Sequence, residues 1–144
     1  EVDAPVGITI GPEGKLVVSQ MGEMNVPKDS LLTVYDPKSG KLEWKAATGL
    51  FDIAAVAYSK SGKLYALDFA WLDTKQGGLF RLDVSKENGK TSVKATKILS
   101  LDKPSAMAFA EEDGAEVLYV TVFGSGKEGA KKKPGQLLKI TGKL

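Results

Sequence analysis

DAPVGITIGPEGKLVVSQ (residues 3–20), FDIAAVAYSKSGKLYALD (51–68) and DKPSAMAFAEEDGAEVLYVTV (102–122) are three versions of one pattern, and they decide the fold. In each, a short run of small or β-branched residues ends in a polar turn. The turn closes on Gly14, Gly62 or Gly114. A second strand follows that is apolar nearly throughout, which predicts that it is covered on both faces. Glycine adopts a positive φ at low cost, so a tight turn between two antiparallel strands is expected at each of these positions.

A third and a fourth strand complete the pattern. LTVYD (32–36), LFRLD (79–83) and LLKIT (137–141) follow a polar loop in each unit. More polar strands come after the first two of these, starting at Lys41 and Ser92. Four antiparallel strands recurring about every 45 to 50 residues are typical of a β-propeller blade. The alternative is a β-sandwich, which also has many short strands at regular spacing, but the threefold recurrence of the same order favours the propeller.

The fold predicted is therefore all-β, a β-propeller of three four-stranded antiparallel blades whose last blade is incomplete. We place the blades at about 3–50, 51–101 and 102–144, within one partial propeller domain covering 1–144. Propellers typically carry four to eight blades, so three cannot close a ring. We expect half of a six-bladed ring, with the remainder of the propeller or a second chain closing it.

Composition limits the chemistry available to these 144 residues. There is no histidine and no cysteine, which excludes a Ser-His-Asp triad, a Cys-His pair and a zinc site of the usual kind within this chain. Of the 20 basic residues 19 are lysine and only Arg81 is arginine, so nucleic acid is not an expected partner. No apolar run approaches the roughly 20 residues of a membrane span.

The repeat resembles the six-bladed NHL and gluconolactonase-like propellers, a superfamily that includes strictosidine-synthase-like proteins. The resemblance rests on PVGITIGPEGKLVVS (5–19), YSKSGKLYALD (58–68), GGLFRLD (77–83) and VLYVTVFGSGKEGAKKKPGQLLKITG (117–142), the last of which looks like a closing blade. It implies a C-terminal half and a secreted or periplasmic location. The superfamily's lactonases hold calcium, but Val6, Ala54 and Ser105 occupy the aligned positions, so the metal site is not carried over.

Candidate binding residues lie in the long loops after the second strands, because binding residues often sit on loops held by a rigid scaffold. Asp68 stands beside aromatic residues and is expected as a metal ligand, an acid of raised pKa or a sugar-binding group, or else as an acceptor for loop amides. Trp71 either closes a pocket or fastens its loop. Asp73 belongs to the same loop. Glu23 and Asn25 offer oxygens to a hard cation such as calcium, or are merely solvated.

Other residues in or near these loops have less specific expected roles. Met21 and Met24 either line an apolar pocket or pack beneath their loop. Asp3, Asp52 and Asp102 recur ahead of each first strand, which indicates a structural role in the turns.

The leading functional hypothesis is a propeller domain that binds a small molecule or a protein at the loop face around the central channel. The alternative is a calcium-dependent lactonase-like or hydrolase-like enzyme with most of its site outside this chain, so whether the chain is an enzyme stays open. A structural interaction module acting through the lysine run 131–133 is a third reading.

Overall fold

A computed structural model describes residues 3–126, 134–142 and 144. The lysine run 131–133 lies outside these residues. The described part of the chain consists of strands and loops with one 3-10 turn, Pro12–Gly14, and contains no helix able to span a membrane. The strands are β1 (Pro5–Ile10), β2 (Leu16–Gln20), β3 (Leu31–Tyr35), β4 (Leu42–Ala47), β5 (Ile53–Tyr58), β6 (Leu64–Asp68), β7 (Gly78–Glu87), β8 (Lys90–Ser100), β9 (Pro104–Glu112), β10 (Ala115–Val122) and β11 (Gln136–Ile140).

The strands form three antiparallel sheets, each built from consecutive segments. Sheet 1 has the order β1-β2-β3-β4, sheet 2 the order β5-β6-β7-β8, and sheet 3 the order β9-β10-β11. The predicted turn glycines have positive φ angles of 72° at Gly14, 80° at Gly62 and 76° at Gly114. The all-β class, the strand order within each unit and the three-stranded last sheet are confirmed.

The sheets pack face to face in chain order, with sheet 2 between the other two. One apolar core joins sheets 1 and 2 and includes Leu32, Val56 and Phe80. A second core joins sheets 2 and 3 and includes Leu67 and Leu118. The first strands of the sheets are neighbours in space, since β1 contacts β5 and β5 contacts β9.

The position of a sheet decides how deeply its second strand is buried. All five residues of β6 are buried, as its apolar sequence predicts for a strand covered on both faces. In β2 and β10 the burial is partial, because sheets 1 and 3 each have only one neighbour among the described residues. The side chains on the free face of β1 are strongly exposed: Val6, Ile8 and Ile10.

Candidate functional site

Asp68 is the last residue of β6 and is fully buried. One carboxylate oxygen accepts the backbone N–H of Phe51 at 2.9 Å. The other accepts the N–H of Asp52 at 2.8 Å and that of Ala70 at 3.1 Å. Burial raises the pKa of Asp68, although these three donors favour the charged form, and the neighbouring Asp52 carboxylate raises it further. The side chain therefore fastens the segment ahead of β5 to the end of β6.

Sheet 1 makes a similar connection with a different side chain. Gln20, which ends β2, is buried and accepts the N–H of Asp3 at 2.7 Å through Oε1. Its amide nitrogen donates to the hydroxyl of Thr33 at 3.1 Å. Val122 ends β10 and offers no such acceptor. Asp68, Gln20 and Val122 each end the second strand of a sheet, and of the three only Asp68 and Gln20 bond to the backbone ahead of the first strand.

The aspartates ahead of β5 and β9 hold the loops that follow the second strands. Asp52 Oδ2 accepts the N–H of Trp71 at 2.6 Å. Asp102 accepts the N–H of Ser125 at 2.6 Å and its hydroxyl at 2.8 Å. The structural role predicted for Asp3, Asp52 and Asp102 is confirmed at Asp52 and Asp102, because each of these carboxylates satisfies a loop N–H that has left the sheet. Within the described residues the Asp3 carboxylate accepts no hydrogen bond, and Asp3 takes part only through its backbone N–H.

A pocket of about 250 Å³ opens at the same end of the molecule, between the loop after β2 and the loop after β6. It is lined by Met21, Gly22, Met24, Asp52 and Trp71. Asp52 is 4% exposed, and within the described residues no hydrogen bond reaches its Oδ1 atom. Burial raises the pKa of Asp52 by more than the Trp71 N–H lowers it, and the charge of Asp29 raises it further. The pocket therefore combines apolar walls with one carboxylate that has spare hydrogen-bonding capacity.

Asp29 organises the wall contributed by the first loop. Its Oδ2 atom accepts the N–H of Glu23 at 2.8 Å, whereas its buried Oδ1 atom has no partner in the described part of the chain. Gly22 has a φ of 81°, and a Cβ there would lie 2.3 Å from Asp29 Oδ1. Only glycine allows this close approach, so Gly22 and Asp29 shape the pocket together.

An aromatic group forms the other side. Trp71 stacks on Phe69 with ring centroids 5.2 Å apart and an interplanar angle of 19°. The Lys103 Nζ atom lies 5.2 Å from the Trp71 centroid and 5.9 Å from that of Phe69. Trp71 is nevertheless 47% exposed, so part of its ring faces solvent.

A wider cleft of about 610 Å³ lies between the end of sheet 2 and sheet 3. Asp102 is the one ionisable residue in its described lining, and both of its oxygens already bond to Ser125. The smaller pocket is therefore the better candidate for a binding site, because its Asp52 carboxylate still has an oxygen without a hydrogen bond in the described part of the chain.

Only some of the residues predicted for the site lie at the pocket. Trp71 lines the pocket, as do the two methionines of the first loop, and Asp68 bonds to the backbone of Asp52. Glu23 and Asn25 are exposed in the first loop and do not line the pocket. Asp73 is exposed and accepts the N–H of Lys75 at 3.2 Å within its own turn.

The sequence reasoning missed two contributors to this site. For Asp52 the sequence predicts only a structural role, because its place ahead of a first strand gives no sign that it also lines the pocket. Asp29 carries no signal in its local sequence.

The calcium assignment at Asp68 stays a prediction. Among residues 3–126, 134–142 and 144 there is no group of three acidic side chains that could hold a metal ion. Both Asp68 oxygens also already accept backbone N–H groups.

No protein-family model matches the chain, and no curated protein matches it either.

Proposed function

We propose that this chain forms part of a β-propeller, as three blades of a six-bladed ring. The support is geometric: three antiparallel sheets follow one another in the chain, pack face to face, and have adjacent first strands. In a propeller, consecutive sheets are arranged radially with their first strands lining a central channel. The resemblance to the NHL and gluconolactonase-like proteins agrees with this proposal and is the one argument for a secreted or periplasmic location.

We propose that the domain is a binding module and that its ligand enters the pocket between the loops after β2 and β6. The ligand has an apolar body and an ammonium or other hydrogen-bond donor. The observation that carries this proposal is the Asp52 carboxylate, 4% exposed, in a pocket otherwise lined by Trp71, two methionines and a glycine. Pockets with apolar walls and a few polar groups are typical of small-molecule sites.

One interaction would favour a cation at this place. A charged donor bonded to a carboxylate contributes about 1.5–3 kcal/mol, more than a neutral pair does. The Trp71 ring already stacks on Phe69 and has the Lys103 Nζ atom 5.2 Å from its centroid, so the ring contributes apolar contact to the ligand rather than a cation–π interaction. The methionine side chains supply polarizable contacts that adapt to the apolar body of a ligand.

The test uses three probes that share a phenylethyl or benzyl body: 2-phenylethylammonium, 2-phenylethanol and phenylacetate. Binding is followed by NMR through the Trp71 indole N–H signal, which a Trp71→Phe variant identifies among the two tryptophans of the chain. We expect the ammonium to bind most tightly and the carboxylate least. Trp71→Ala is expected to weaken all three probes.

The matched variants are Asp52→Asn and Asp73→Asn. Asparagine at position 52 keeps an acceptor for the Trp71 N–H but removes the charge, so the preference for the ammonium should disappear. Asp73 lies in the same loop and is exposed, so its variant should leave the order of the probes unchanged. Equal binding of the three probes to the unmodified protein would refute the assignment, as would an unchanged ammonium preference in Asp52→Asn.

A further inference from the structure

The two outer faces of the stack of sheets repeat the chemistry of the two packed interfaces inside it. The strand registers establish which positions correspond. Ile10 pairs with Leu16, Tyr58 with Leu64 and Phe109 with Leu118, so Ile10, Tyr58 and Phe109 are equivalent. Two residues earlier on the same strands, Ile8, Val56 and Met107 are equivalent in the same way.

The larger residues of a first strand point toward the preceding sheet. Val56 and Tyr58 pack in the core that sheet 2 shares with sheet 1. Met107 and Phe109 pack in the core that sheet 3 shares with sheet 2. Their equivalents in sheet 1, Ile8 and Ile10, are 63% and 70% exposed. The free face of sheet 1 thus carries side chains of the kind that is packed in both other sheets.

The alternate positions of a first strand carry small residues and point toward the following sheet. Gly7, Ala55 and Ala106 are equivalent, since they pair with Ser19, Leu67 and Thr121. A Cβ on Gly7 would lie 2.8 Å from the Ala55 Cα atom, so β1 and β5 approach closely there. Ala55 in turn packs against the core shared with sheet 3.

On sheet 3 this small-residue face has no neighbour among the described residues. Ala106, Ala108 and Ala110 of β9 are all exposed. The same face of sheet 3 also carries Tyr119 and Lys139, which both bond to Glu112. The chain therefore has a first strand with bulky exposed residues at one end and a first strand with small exposed residues at the other. At both internal interfaces the bulky positions of one first strand pack beside the small positions of the preceding one. The same pairing of first strands is available between two molecules, and the exposed apolar surface of sheet 1 is of a kind that is uncommon on a protein without a partner.

We propose that the free face of sheet 1 binds the free face of sheet 3 of a second copy of this chain. A two-fold axis makes the contact twice, so both bulky faces and both small faces are covered and no apolar end remains. The product is a closed dimer of six sheets. This proposal rests on the faces of the sheets and not on the pocket, so the two can fail separately.

The first test is the molar mass of the full chain, measured by light scattering after size-exclusion chromatography at tens of micromolar. We expect twice the 15.3 kDa of one chain. Ile8→Lys puts a charge on the bulky face and should give a monomer with an unchanged circular dichroism spectrum. Ile98→Lys is the control, because Ile98 is 46% exposed on β8, away from both free faces, and its variant should stay dimeric.

A second test does not depend on disrupting the dimer. The chain has no cysteine, so cysteines introduced in pairs report on contacts between copies without background. Gly7 lies against Ala54 and Ala55, and the equivalent contact places Ala106 of one copy against Val6 and Gly7 of the other. The double variant Val6→Cys, Ala106→Cys should form a covalent dimer on a non-reducing gel, and neither single variant should.

Several results would overturn the proposal. A wild-type monomer at these concentrations would show that another partner, such as further sheets of a longer chain, covers the faces. A dimer that survives Ile8→Lys, or a covalent dimer of the Val6→Cys single variant, would show that copies meet through other surfaces. Binding of the phenylethylammonium probe to the unmodified protein, whatever its molar mass, would leave the pocket proposal intact in each case.

Discussion

Asp68 offers the most direct test of how this fold is held together. Its two oxygens satisfy the N–H groups of Phe51, Asp52 and Ala70, and the residue is fully buried. Asp68→Ala leaves three N–H donors without their carboxylate partner, two of them buried and that of Phe51 partly buried. An unsatisfied buried donor costs about 1–3 kcal/mol.

A second contribution opposes this loss of stability in Asp68→Ala. Burial raises the pKa of Asp68, which shows that the charged form is itself held at a cost that alanine would remove. We therefore expect the low end of the range for each donor, a total of about 3 kcal/mol in the free energy of unfolding. Asp68→Asn keeps the shape and one acceptor oxygen, and we expect it to lose about 1–2 kcal/mol.

The assay is equilibrium unfolding in urea, followed by circular dichroism. With a denaturant slope of about 2 kcal/mol per molar urea, a loss of about 3 kcal/mol lowers the midpoint by about 1.5 M. Asp73→Ala is the control, because Asp73 is exposed and its substitution should cost no more than about 0.5 kcal/mol. The reasoning is refuted if Asp68→Ala shifts the midpoint no further than Asp73→Ala does.

Three further predictions concern the pocket and the calcium hypothesis. Gly22→Ala should destabilise the fold by about 1–3 kcal/mol more than Gly14→Ala in the same urea assay, because both glycines have positive φ but only Gly22 faces a carboxylate, that of Asp29. Equal losses would contradict the role of that contact. The affinity for 2-phenylethylammonium should rise with pH through the raised pKa of Asp52, because ionisation supplies the charge that attracts the cation; in Asp52→Asn, titration should show no such rise. Millimolar calcium should leave the urea midpoint unchanged, since both Asp68 oxygens accept backbone N–H groups; a calcium-dependent increase that Asp68→Asn abolishes would support the metal role instead.

Much of the fold could be predicted from local sequence. The turn at Gly62 and the strands on either side of it follow from glycine's freedom at positive φ and from the run LYALD (64–68). The same reasoning predicted the first strands of all three units and a last unit of three strands. It was less accurate for the burial of β2 and β10, because coverage of both faces depends on a neighbouring sheet, and sheets 1 and 3 each have one free face.

The candidate site could be predicted only in part. The long loops and Trp71 were identified because an aromatic residue in a loop after a buried strand is conspicuous. The place of Asp52 in the pocket lining was not predicted, because its sequence position indicated the turn role that it also fulfils. The pocket forms only where the loop bearing Met21 and Met24 lies opposite the loop bearing Trp71.

By itself, then, the sequence determined the repeating unit, its strands and the alternation of side chains along them. These depend on neighbouring dihedral angles and on the two-residue period of a strand, and both are local. The tertiary structure alone decided that residues about 50 positions apart, such as Met21 and Trp71, share one pocket, and that Ile8 is exposed while its equivalent Val56 is buried. Which face of a sheet is covered depends on packing between sheets, and no local preference of the chain specifies that.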